Sequence, residues 1–320
     1  MRANDPKSSN KPDAAAPQTA IVDAATLLAL RMQRGIGDAG ARRIVAAAKE
    51  HGTPLESLFG LPLSRLMRRF PGAHARALAA CDGAAVTQAQ RQIDKARDLG
   101  IHIIPLDAPD YPPALLAEMG DAAPVLLFVQ GGLKILARRG AAVVGRRTPS
   151  ADGIRLTTTT ARRLAAKGVV VVSGGAQGVD IAAHQAAVAA GGGTIVVLPQ
   201  GIFTYHPPDP LRSAAAESRA LLLSIFPPEN PWRTPQAVMR NEIISALADA
   251  VYVIEPGRPG GSQLTGLHGL RRHKPVYCRP CPGRPSPYDP ALEVPSPFAG
   301  YLAYHLPPCE PPAPEQQRFL

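Results

Sequence analysis

From residue 141 onward the chain repeats one pattern: a short run of continuous apolar residues, a glycine-rich turn, then a segment with helical spacing. Ala141 to Val144 reads as a strand, Gly145 as its turn and Gly153 to Lys167 as a helix that Gly168 closes. The unit recurs as Val169 to Val172, Ser173 to Gly178 and Asp180 to Ala190, and Thr194 to Leu198 follows as a third strand. Ala220 to Ser224, Ala250 to Ile254 and Pro275 to Tyr277 add further strands, with helices at Pro235 to Ala248 and Ser262 to Arg272. Strands without polar alternation are buried on both faces, so this succession specifies a mainly parallel sheet with helices on either side. The expected fold class is α/β, Rossmann-like and doubly wound.

Upstream the pattern is different. ATLLALRMQ, ARRIVAAAKE and LPLSRLMRRF carry apolar residues at helical intervals, broken at Gly35, Gly37, Gly52 and Pro54, so residues 21–84 read as a small all-helical module. A helix from about Ala85 to Leu99, the apolar run Ile101 to Ile104, a turn at Asp110 to Pro113 and a short helix from Ala114 to Met119 lead into a main domain spanning 85–283. Residues 1–20 lack the apolar segment of a signal peptide and read as a disordered leader; residues 284–320 are proline-dense and read as an extended or disordered tail. No stretch reaches the ~18 apolar residues of a membrane helix. Four cysteines in 320 residues make no disulfide framework, so a reducing cytoplasm without a membrane partner is expected.

The glycine turns fall where such a sheet binds ligands, beyond the carboxyl ends of its strands. Helix N-termini there offer unpaired N–H groups and partial positive charge, and glycine lets an anion approach the backbone. Neither a P-loop nor a full Gly-x-Gly-x-x-Gly fingerprint is present, which argues against a conventional NTPase or NAD enzyme. The first turn sets Arg146 and Arg147 beside Thr148 and Ser150, and guanidinium groups grip phosphate through paired hydrogen bonds. The second, Ser173-Gly174-Gly175-Ala176-Gln177-Gly178, has the composition of an anion nest and runs into a helix carrying Asp180 and His184. Either turn alone reads equally as a phosphate site or as a tight connection without a ligand; together they favour phosphate. The formal charge of +10 fits a polyanion, although a composition rich in Ala, Arg, Gly and Pro produces it too.

Five blocks in order carry a family resemblance: Val144-Gly145-x-Arg147-x-x-Ser150; Ser173-Gly174-x-Ala176-x-Gly178-Val179-Asp180-x-Ala182-Ala183-His184; Gly193 to Leu198; Met239-Arg240-Asn241-x-Ile243-Ile244; and Gly261-Ser262-x-Leu264-Thr265. The chain resembles the DNA-processing protein A family, also called DprA or Smf, from about residue 25 to about residue 283. The resemblance implies a protein that is not an enzyme, needs no cofactor or metal, binds single-stranded DNA, forms a homodimer and loads RecA recombinase in natural transformation. Carried over by position, Arg147, Ser173, Gly174, Gly178 and Arg240 belong to its DNA pocket, with Asn241 on the rim. Gly145, Arg146, Ser150, Gly175, Gln177 and Ser262 complete the phosphate-binding candidates. Asp180 and His184 read as organisers of the pocket or as a buried structural pair.

Several residues depart from the family pattern. Gln177 and Glu242 stand where the family has arginine, which thins the positive charge, while Arg146, Arg233 and Arg258 are candidates to restore it. Phe226-Pro227 and His206-Pro207 also differ, and a proline-rich tail stands where many members carry a winged helix. A degenerate member with weakened DNA binding is therefore one alternative. A phosphoribohydrolase-like nucleotide enzyme is another, disfavoured because Pro259 to Thr265 lacks the glutamate that such enzymes use. Three features stay open: Trp232 either stacks on a base or caps the core; Cys278-x-x-Cys281 with His273 is half a zinc site; and the hairpin Arg34 to Asp38 meets either DNA phosphate or protein.

Overall fold

The computed structural model describes residues 22–257 and 259–306. The leader, Arg258, Cys309 and the last part of the tail lie outside the described residues. The chain opens with helices α1 (Ala24–Arg31), α2 (Asp38–Glu50), α3 (Leu63–Leu66), α4 (Gly72–Ala80) and α5 (Gly83–Asp98). Asp23 starts α1 by accepting hydrogen bonds from the backbone N–H groups of Ala25 and Thr26 at 3.0 and 3.2 Å. The run Ala25 to Leu30 is apolar nearly all round, so α1 is buried nearly all round. It packs on α5 and joins a core that includes sheet residues such as Phe128, Val196 and Leu222. The change of sequence pattern near residue 100 therefore marks no break in packing.

Next come β1 (His102–Pro105), α6 (Pro113–Met119), β2 (Leu126–Gly131), β3 (Gly140–Gly145), α7 (Ala151–Ala166), β4 (Val170–Ser173), α8 (Val179–Ala189), β5 (Thr194–Val197), α9 (Asp209–Ala216), β6 (Ala220–Ser224), α10 (Thr234–Ala246), β7 (Ala250–Ile254), α11 (Gly261–Arg271), β8 (Val276–Arg279), β9 (Glu293–Val294) and β10 (Leu302–Tyr304). They form one sheet in the order β1-β2-β6-β5-β4-β3-β7-β8-β10-β9. Its centre, β6 through β8, is parallel, as the unbroken apolar runs require. Alternate residues serve opposite faces: Val143 and Val171 pack toward α7 and α8, whereas Val144 and Val172 pack toward α10 and α11. From β3 the chain winds outward through β4, β5 and β6, then returns to β7 on the other side of β3. The connections after β3 and β7 thus diverge, and a crevice opens at the carboxyl ends of these two strands.

Two regions differ from the sequence expectation. The run Leu126–Gly131 forms a strand, β2, antiparallel to both β1 and β6, and α9 fills the connection before β6. Residues 284–306, expected as part of an extended tail, add β9 and β10 antiparallel to the sheet. Tyr288 and Tyr304 of this segment are buried with ring centroids 5.4 Å apart, and the Tyr288 hydroxyl donates to the Gln263 carbonyl. The prolines there flank the strands without interrupting them, and a short edge strand tolerates that spacing.

Candidate functional site

The first glycine turn ends at Ser150, whose hydroxyl caps α7 by accepting from Gly153 N–H at 3.0 Å. That cap has a second partner. Glu255, the residue after β7, accepts from Ser150 N–H at 2.8 Å, and the Ser150 hydroxyl donates to its other carboxylate oxygen. Glu255 is 1% exposed and has a φ of 49°. Gly153 makes room for it, since a Cβ there would lie 2.9 Å from the Glu255 carboxyl carbon. The N-terminus of α7, the natural phosphate seat of this fold, is thus filled by the protein's own carboxylate.

The second turn is filled in the same way. Asp180 is buried and accepts from Gly174 N–H at 3.1 Å and Ala176 N–H at 3.4 Å, with a further backbone bond from Gly145. Burial pushes its carboxyl above the ordinary range, while Arg240 and these backbone donors pull it back. Gly178, at φ 90°, lies where a Cβ would overlap the carbonyl oxygens of Arg146 and Arg147. Gly174 leaves the space that the Arg240 guanidinium occupies. These glycines therefore serve close protein packing. Ser173 is also withdrawn: fully buried, it donates to the Val143 carbonyl at 2.6 Å.

Asp180 and His184 share a helix but have separate partners. Thr194 donates its hydroxyl proton to the Val171 carbonyl, so it accepts from His184 Nδ1–H at 2.7 Å. This fixes the tautomer and leaves Nε2 an acceptor with no partner among the described residues. Burial, with nearby Arg240 adding to it, lowers the His184 pKa to about 3, so the ring is neutral.

In front of these self-capped turns lie two adjoining clefts of about 410 and 300 Å³. Arg147, Ala176, Trp232 and Arg240 line both. Gly145, Arg146, Asp180, Asn241 and Ser262 line the larger; Gly174, Gly175, Gln177 and Tyr205 line the smaller. Ser150, Ser173, Gly178 and His184 stand behind, lining neither. Arg147 is exposed, whereas Arg240 is 6% exposed, donating from Nη1 to the Val197 carbonyl at 2.8 Å. Its Nε has no partner among the described residues. Burial lowers the Arg240 pKa to about 10, opposed by Asp180, so the group stays cationic at neutral pH. Where the clefts meet, the arrangement offers an anion the guanidinium groups of Arg147 and Arg240, with that of Arg146 on the larger cleft alone.

Asn241 ties α10 to α11 by donating to the Gly261 carbonyl at 3.2 Å. Glu242 faces α11, 3.7 Å from His268 Nδ1, and lines neither cleft. Of the two departures from arginine, only Gln177 lies on a cleft wall. Glu255 is the site residue that sequence reasoning missed; its one signal is a carboxylate ending the apolar run Ala250 to Ile254.

Asp38 of the hairpin forms a paired contact with Arg31, at 2.9 and 3.0 Å, and accepts from Val125 N–H at 3.1 Å. Cys278 and Cys281 are buried, and no group of three or more His, Cys, Asp or Glu suited to a metal occurs among the described residues. No helix among them is long and apolar enough to cross a membrane.

The sequence model of the family described as DNA recombination-mediator protein A matches residues 102–289, which include every residue lining the two clefts. Protein Smf of Escherichia coli is 38% identical over 192 residues, covering 59% of this chain and 51% of the relative. DNA processing protein DprA of Bacillus subtilis is 34% identical over 189 residues, covering 58% and 62%. The chain thus spans between about half and three fifths of the length of these relatives. DNA processing protein A of Streptococcus pneumoniae superposes with a TM-score of 0.60 at 25% identity, over 81% of this chain and 87% of that one. DNA processing protein A of Helicobacter pylori, solved to examine its single-stranded DNA binding mode, gives 0.51 at 27% identity, over 58% and 83%.

Proposed function

The chain belongs to the DNA recombination-mediator protein A family, and from that premise we propose that it binds single-stranded DNA across the two clefts, with Arg147 and Arg240 holding backbone phosphate. The observation that carries this reading is the pair of guanidinium groups lining both clefts at the switch point of the sheet. Glu255 and Asp180 engage backbone donors of the first two turns, so at those turns the arginines are the groups offered to an anion. Clefts of about 410 and 300 Å³ suit single nucleotides of a flexible strand rather than the breadth of a duplex. The α7 N-terminus, filled by Glu255, also counts against a free nucleotide phosphate there. In the fuller proposal the protein works in the cytoplasm as a homodimer, shields incoming strands and delivers them to RecA recombinase without acting on them chemically.

Fluorescence anisotropy with labelled oligo-dT tests the proposal. Binding is expected at low salt, weakening steeply as salt is added because phosphate contacts release counterions. Absence of binding at low salt would falsify it.

A further inference from the structure

Trp232 is the chain's one tryptophan, and it is 48% exposed. A tryptophan left this open is unusual for so large an apolar surface. Here the exposure is held by the chain around it. Before it, the Asn230 carbonyl accepts from Gly201 N–H at 2.8 Å and from the Thr204 hydroxyl at 3.1 Å. With the Gln236 amide turned so that its nitrogen faces the acceptors around it, it donates to the Pro231 and Pro199 carbonyls at 3.0 and 3.1 Å, tying the residue before Trp232 to the loop after β5. After it, Pro235 stands in the first turn of α10. Trp232 thus lines both clefts, and the apolar Val238, 43% exposed, lines the larger.

We propose that Trp232 is the platform of a base-binding subsite, on which an unpaired nucleobase stacks while Arg147 and Arg240 hold the adjoining phosphate. The proposal rests on the single-stranded DNA reading above. Charge complementarity selects this occupant: an apolar plane and two guanidinium groups shared by the clefts match the two halves of a nucleotide, base and phosphate. An apolar partner surface would leave Arg147, which is exposed and has no ion pair among the described residues, without an anion.

With one tryptophan in the chain, intrinsic fluorescence reports on this residue alone. Titration of the full chain with oligo-dT is expected to quench the emission, saturating at the same concentration as anisotropy of the labelled strand. An abasic strand of equal length should bind more weakly and leave the emission unchanged. Trp232→Ala should weaken oligo-dT binding about tenfold, Trp232→Phe much less, and neither should alter binding of the abasic strand. Anisotropy showing binding without quenching, or an unchanged affinity in Trp232→Ala, overturns the subsite and leaves the DNA reading standing. No anisotropy change overturns both. Emission that shifts with protein concentration in the absence of DNA identifies a second copy of the chain as the occupant instead.

Discussion

Replacing Gly178 with alanine is expected to destabilise the fold by about 2–6 kcal/mol, combining strain at a backbone conformation closed to other residues with overpacking. Its φ is 90°, and a Cβ there would meet the carbonyl oxygens of Arg146 and Arg147. Those atoms are backbone, so neither can rotate away as a side chain would. Since typical domains are stable by only about 5–15 kcal/mol, the loss is a large share of the total. Gly52→Ala supplies the comparison: φ there is 56°, but nothing lies within 4 Å of the added carbon. Urea unfolding followed by circular dichroism should show a much larger shift of midpoint for Gly178→Ala than for Gly52→Ala. Equal shifts would mean that the two turns are not packed against one another.

The second large effect is expected at Asp38→Ala. Its carboxylate faces the Arg31 guanidinium through two contacts and also accepts from Val125 N–H, linking the helical segment to the chain entering β2. Burial pushes its carboxyl up, while Arg31 and the Val125 N–H pull it down. Removing one member of such a pair strands the other charge in a dry site, at a cost of about 3–5 kcal/mol. Replacing both, as Arg31→Leu with Asp38→Leu, is expected to recover much of that loss, because no unpaired charge remains. The same urea measurement checks this. A loss below about 1 kcal/mol for Asp38→Ala, the scale of an exposed pair, would contradict it.

Much of the fold is legible in the sequence because its strands are short apolar runs bounded by glycine. Val170–Ser173, Ala220–Ser224 and Ala250–Ile254 lie within a residue of where the pattern puts them. The place of the candidate site is legible for the same reason, since turns such as Val144 to Ser150 sit at strand ends. What fills the turns is not. Glu255 reaches Ser150 because β3 and β7 are neighbours, with Gly145 opposite Ile254, and that register joins residues more than a hundred positions apart. Gly174 and Gly178 read as room for an incoming anion, whereas their neighbours turn out to be Arg240 and the first turn. Glu242 is adjacent to Asn241 in sequence yet faces another helix, because successive residues on a helix point about 100° apart. Proline density hid β10, whose residues Leu302–Tyr304 contain no proline.

The central claim, that the shared cleft holds DNA phosphate through Arg147, is tested most directly by the salt dependence of oligo-dT affinity in the natural chain and in Arg147→Ala. Arg147 is exposed and no ion pair involving it is present among the described residues, so its removal should leave the fold intact. The account predicts weaker binding for the variant and a log–log salt slope shallower by about 0.7, the contribution of one phosphate contact on a single strand. An affinity and a slope both unchanged by the substitution would contradict it.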